Sequence, residues 1–156
     1  MGIFDKMKGA INTVTGGGAK VSIEYPNQPM KRGQDIKVKI TAISTGGAVK
    51  CSGAFIDLLA KEEGTFSPKI TCQHCHQSQQ HNVKFSHKTF SQSFPVAPAF
   101  NLEPNETKEF EGTIQIPASI QPSYRGTISH EWSIQGRIEA FGNDPSSGYQ
   151  YIEVIS

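Results

Sequence analysis

From Lys20 onward the apolar positions recur at every second residue. Val21, Ile23 and Tyr25 alternate with polar neighbours, and Ile36, Val38 and Ile40 alternate with Lys37, Lys39 and Thr41. That is the period of a strand with one face in a core and the other in water. Turn chemistry separates the runs: Pro26-Asn27-Gln28-Pro29, Lys31-Arg32-Gly33-Gln34, then Gly46-Gly47 ahead of a third strand expected over Val49 to Leu59. The clearest run is Gly126 to Phe141, which puts Ile128, His130, Trp132, Ile134, Ile138 and Ala140 on one face. Sixteen residues is long for a strand, so Gly136 is expected to mark a bend or bulge. Phe110 to Ile116 and Gly148 to Ile155 complete the pattern. About seven to nine short strands joined by Gly and Pro turns predict an all-β chain folded as a two-sheet antiparallel β-sandwich.

The first fourteen residues follow a different period, with Ile3, Phe4, Met7, Ile11 and Val14 at helical spacing and Asp5, Lys6, Lys8 and Asn12 between them. A short N-terminal amphipathic helix is expected there, ending at Gly16-Gly17-Gly18. The division is then 1–19 for the helix and its Gly-rich joint and 20–156 for a single sandwich domain. Packing of the helix on its own domain competes with two other fates, in which Ile3, Phe4 and Met7 meet a membrane surface or a partner's groove. Myristoylation of Gly2 is disfavoured, because Lys6 stands where the motif needs Ser or Thr.

Composition narrows the class. A chain of 156 residues and 17.0 kDa with 36% apolar and 19% charged residues suits one soluble domain, neither disordered nor membrane-spanning. The net charge of +1 gives no field that would attract nucleic acid, so no nucleic-acid partner is expected. The charge is nonetheless uneven: residues 1–88 carry twelve Lys and Arg against six Asp and Glu, residues 89–156 three against eight. Three cysteines, an odd number, and an opening stretch with Asp5 and no continuous apolar run point to a reducing, cytoplasmic location.

Two of those cysteines lie in the segment Thr71-Cys72-Gln73-His74-Cys75-His76-Gln77, with His81 and His87 following. Two thiolates two residues apart, joined by two imidazoles, have the donor set for a tetrahedral zinc site. The candidate ligands are Cys72, Cys75 and two of His76, His81 and His87, and zinc is the one cofactor the sequence suggests. The competing reading is a polar surface loop between a strand ending near Cys72 and another running through Val83, Phe85 and His87. Haem attachment at Cys72-x-x-Cys75-His76 and a redox dithiol are weaker alternatives, the second because no helix is expected to follow. Cys51 reads as a small core residue.

Catalytic signatures are missing from the sequence. There is no G-x-S-x-G, G-x-x-x-x-G-K-[ST] or G-x-G-x-x-G, and His130 and Glu131 are strand neighbours that face opposite ways. His130 reads as a hydrogen-bonded core histidine. A non-enzyme is expected, with no catalytic residues.

Val21 to Ser44, Gly46-Gly47 and the strand ending Ile56-Asp57-Leu58 resemble the opening of arrestin-like domains. The second half carries more. Phe110 to Pro117, then Pro122-Ser123-Tyr124-Arg125-Gly126, then His130 to Ile134, resembles the arrestin pattern of an apolar strand, a Pro, a P-S-Y-x-G turn and a long strand. Over residues 20 to 155 the chain resembles bacterial sporulation-control arrestin-like proteins. The resemblance implies an arrestin-like, immunoglobulin-like architecture and a single-lobe, non-enzymatic adaptor, since two-lobed functions need a longer chain. Its partner would be a protein or peptide, bound at sheet edges or near Phe85, Phe90, Phe94 and Phe100, with a homodimer through an edge strand as a further expectation.

Overall fold

The computed structural model describes residues 7–10 and 18–156. In chain order the strands are β1 (Met7–Ala10), β2 (Ala19–Pro26), β3 (Met30–Lys31), β4 (Asp35–Ser44), β5 (Val49–Phe66), β6 (Lys69–Thr71), β7 (Ser78–Gln80), β8 (Val83–Ala97), β9 (Phe100–Leu102), β10 (Thr107–Gln115), β11 (Ile128–Ala140), β12 (Gln150–Ile152) and β13 (Val154–Ile155). Two sheets face each other. One has the order β1-β2-β4-β10; the other runs β12-β11-β5-β8, with β9 also on β5. Both are antiparallel throughout, as the all-β sandwich expectation requires. A short parallel pair, β3 with β13, and the β6–β7 hairpin stand outside them. Among the described residues no helix is long and apolar enough to cross a membrane.

The period-two pattern explains which faces meet. Val21, Ile23 and Tyr25 on β2 and Ile36, Val38, Ile40 and Ala42 on β4 are buried against Ile56 and Leu58 of β5 and Trp132, Ile134 and Ile138 of β11. At ~25 cal/mol per Å² of apolar surface, this burial is the main force holding the sheets together. Cys51 belongs to the same core. So do three of the four phenylalanines of the aromatic segment: Phe90 packs on Trp132 with ring centroids 5.4 Å apart, Phe100 on Phe110 at 4.6 Å, and Phe94 against the buried cluster.

The structure corrects two expectations. The helix expected over the first fourteen residues is a strand where it is described: β1 runs antiparallel to β2, from Met7 opposite Pro26 to Ala10 opposite Ile23. The unpaired edge of β2 offers this segment a row of backbone partners, and Gly9 weakens the competing helix. Met7 therefore sits in a sheet, whereas Ile3 and Phe4 lie outside the described residues. Gly136 is no bulge, since its register with Ile56 is continuous and the shift falls between Glu139 and Ala140. A Cβ at Gly136 would stand 3.0 Å from Ile40 Cγ1 and 3.5 Å from Ile23 Cβ. Any larger residue there would press on Ile40 of the facing sheet.

Strand β5 is longer than its sequence pattern suggests. Its inner positions are fully buried as far as Ala60, where the register with β8 shifts. Beyond that shift Lys61–Phe66 continues beside Val83–Lys88 and Ile128–Glu131 as a more exposed extension of the second sheet.

Candidate functional site

The extension has two distinct faces. On the core side the register aligns Glu62, Gly64 and Phe66 of β5 with His87, Phe85 and Val83 of β8, and with His130 and Ile128 of β11. The Phe85 ring lies over Gly64, so close that a Cβ there would be 2.6 Å from its Cε1. Phe66, Val83 and Ile128 on this face are exposed, Phe66 by 51%. The opposite face is polar, with Ser86 Oγ donating to Glu63 Oε1 at 2.9 Å.

Where the extension joins the core, the P-S-Y-R-G turn closes the sandwich. Trp132 Nε1 donates to the Gln121 carbonyl at 2.9 Å, and His130 Nδ1 lies 3.1 Å from the Pro122 carbonyl. A carbonyl only accepts, so Nδ1 carries a proton, and in the neutral ring Nε2 accepts from the Thr89 hydroxyl at 2.7 Å. Tyr124 stacks on His130 at 5.6 Å and donates its hydroxyl to Glu62 Oε2 at 2.9 Å. Ser123 N–H donates to the Val154 carbonyl and Ser123 Oγ accepts from Val154 N–H, fastening the turn to β13. His130, buried and with both ring nitrogens engaged, is the core histidine its pattern indicated.

The cysteine segment is a hairpin. Strands β6 and β7 pair Lys69 with Gln80 and Thr71 with Ser78, and the Cys72 N–H continues the ladder to the Gln77 carbonyl at 2.9 Å. The tip is a tight turn in which His76 N–H donates to the Cys72 carbonyl at 3.0 Å, with His76 in the left-handed region at φ 54°. The Cys75 N–H, the Cys75 thiol and the His74 N–H all point at the Cys72 sulfur and hold its pKa below the usual thiol value. Both thiols are exposed. Burial instead pushes the Cys51 thiol up, only partly opposed by Lys108. Iodoacetamide is therefore expected to modify Cys72 well before Cys51, as read by mass spectrometry of the peptides; comparable rates would refute the difference in environment.

The hairpin tip holds Cys72 and Cys75 with His74 and His76 in the same turn, whereas His81 and His87 lie away from it. His81 stands at its foot, with its N–H on the Pro68 carbonyl at 3.1 Å. Four residues separate it from the level of the thiols, roughly 13 Å at strand rise. His87 lies further along, on β8 opposite Glu62. Among the described residues no group of three or more His, Cys, Asp or Glu side chains is placed to hold a metal ion. Sequence reasoning missed the exposed positions Phe66 and Ile128 and the Tyr124–Glu62 contact. A partial signal for them was available, because after the charged run Lys61-Glu62-Glu63 the β-favouring Thr65 and Phe66 precede the Ser67-Pro68 turn.

Two packed antiparallel sheets closed by the Pro122–Gly126 turn make this a two-sheet β-sandwich. Among solved structures the fold is shared by Spo0M, the sporulation control protein from Bacillus subtilis, with a TM-score of 0.61 and 20% sequence identity. The likeness covers 90% of this chain and 50% of that one, so the chain spans about half the length of Spo0M. No family model and no curated protein matches the sequence.

Proposed function

We propose that the chain is a non-enzymatic interaction module, a single-lobe adaptor of the arrestin-like type, that binds a protein or peptide along β8. One observation carries this reading: β8, fifteen residues long, ends its sheet and among the described residues pairs with β5 alone. An edge of that length presents backbone donors and acceptors that a partner's extended segment satisfies by adding a strand. The chemistry of the partner follows from the side chains. Lys84, His87 and Lys88 line β8, and no Asp or Glu occurs between Glu63 and Glu103, so an acidic extended segment is the complementary ligand. Exposed Val83, with Phe66 beside it, supplies an apolar contact at one end.

The test is site-specific photo-crosslinking in the native cell. A crosslinking residue at Ser86 is expected to capture one defined protein, and K84E/K88E is expected to abolish capture with the melting temperature unchanged. Equal capture from Lys37, on the outer face of β4, would overturn the reading.

A further inference from the structure

We infer that the segment added to β8 alternates apolar and acidic residues and docks along positions 83–88. The inference rests on the β8 reading above and specifies its ligand. In the β5–β8 register Val83, Phe85 and His87 lie on the core side of the extension, and Lys84, Ser86 and Lys88 on the outer side. A strand paired to the open edge of β8 continues this pleat, so its side chains fall by turns beside the one row and the other. The length is set by the ladder itself. Strand β8 begins at Val83, and the shift between Ala60 and Lys61 leaves Thr89 without a partner on β5, a bulge that ends the even edge. The Thr89 hydroxyl is turned inward to His130.

The two rows differ in chemistry. On the core side the Phe85 ring covers Gly64 while Val83 and Phe66 remain exposed, an apolar strip open to solvent. The strip is confined to this end, because further along β8 Phe90 packs on Trp132 and Val96 on Gly112 of β10. On the outer side Lys84 and Lys88 stand roughly 13 Å apart at strand rise, and among the described residues neither forms an ion pair. The register places Lys88 directly beside Lys61, whose other neighbour is Glu131, whereas the far side of Lys88 is the open edge. Like charges across a pair repel, and a carboxylate at the next position along that row removes the imbalance. A wholly acidic segment would leave Phe66 and Val83 in water, and a wholly apolar one would leave both lysines without a counter-charge. Alternation satisfies the two rows at once.

The test titrates the full chain with three labelled peptides by fluorescence anisotropy. One is Val-Glu-Val-Glu-Val-Glu-Val, the second its isomer Val-Val-Glu-Glu-Val-Val-Glu, and the third Ser-Glu-Ser-Glu-Ser-Glu-Ser. The alternating Val-Glu peptide is expected to bind about tenfold tighter than either of the others. F66S and V83S should each remove most of that advantage, and K84E/K88E should abolish binding. All of these side chains are exposed, so unchanged thermal melts of the variants establish that the fold is kept. Hydrogen exchange with the alternating Val-Glu peptide bound should slow at residues 83–88 and not at 90–97. Equal affinity for the three peptides, lost in K84E/K88E, would overturn the alternation and leave the β8 reading standing. Protection on a different strand edge would overturn both. Binding of none of the peptides would overturn the inference, and capture at Ser86 then judges the β8 reading by itself.

Discussion

Replacing Trp132 by alanine is expected to destabilise the domain by ~3–5 kcal/mol. Trp132 is fully buried at the centre of β11, packed on Phe90 and at right angles to His130 with centroids 6.0 Å apart. The truncation removes a large apolar surface and leaves a cavity between sheets that cannot collapse without breaking their pairing. It also strands the Gln121 carbonyl, which loses the indole N–H and with it one tie on the turn that closes the sandwich. A domain of this size has ~5–15 kcal/mol of total stability, so the loss should lower the melting temperature by roughly 6–20 °C. Trp132→Phe keeps much of the apolar surface but also loses the N–H bond, and should fall well short of the alanine effect. Denaturation curves of the three proteins decide the matter; an alanine variant melting within about 2 °C of wild type would refute the packing argument.

The second large effect is electrostatic. Asp57 sits on the outer face of the second sheet with its side chain only 9% exposed, and its carboxylate accepts from Arg137 Nε at 2.9 Å, from Gln135 Nε2 at 2.9 Å and from the Ser93 hydroxyl. Arg137 in turn lies 4.9 Å from the centre of the Phe55 ring and reaches Glu139 Oε1 at 3.0 Å. Asp57→Ala leaves that guanidinium with Glu139 and the more distant Asp144, and is expected to cost ~3 kcal/mol, the lower end of the range for breaking a buried pair. Burial alone would raise the Asp57 pKa, but the hydrogen bonds from Arg137, Ser93 and Gln135 outweigh it and hold it below the ordinary value of 3.8. A depressed carboxylate contributes its full stability above the unfolded value and loses it as pH falls through the folded one. Wild-type stability should therefore decline below about pH 4, and Asp57→Asn should flatten that decline. Urea titrations at several pH values measure it; parallel pH profiles for the two proteins would show that Asp57 is not the group responsible.

How much of this was legible in the sequence depended on how completely each strand is buried on one face. In β2 and β4, and from His130 to Ile138 in β11, every second residue is sealed in the core, so the alternation named Val21, Ile23, Val38, Ile40, Trp132 and Ile134 correctly, while Ile128, placed on the same face, is exposed. In β8 nearly every position keeps some exposure, and Ser, Gln and Lys interrupt any period; its reach to Ala97 was invisible for that reason. Strand β5 was read as ending at Leu59 because charged residues follow, yet they continue the strand where the other sheet no longer covers it. At Met7–Ala10 the helical spacing over the first fourteen residues suggested a helix, but an open neighbouring edge decides the outcome, and an edge is a tertiary fact. The cysteine segment was legible as composition, since two thiols and several imidazoles are plain in the chain. That Cys72, His74, Cys75 and His76 share a hairpin tip while His81 stands at its foot follows only from the Lys69–Gln80 and Thr71–Ser78 pairings.

The central place of β5 also sets an order of assembly. Its β8 partner lies close in sequence, so that long hairpin can form early, whereas β11 joins it across separations such as Cys51 to Ala140. Contacts that close loops of that size are slow to form. During synthesis at ~5–20 residues per second, the side of β5 that receives β11 waits several seconds or more for its partner. For that interval Ile56, Leu58 and Ala60 stand on a strand with one unsatisfied edge, which is open to pairing with another chain. The charged Lys61-Glu62-Glu63 run directly after them then acts as a gatekeeper for the nascent chain.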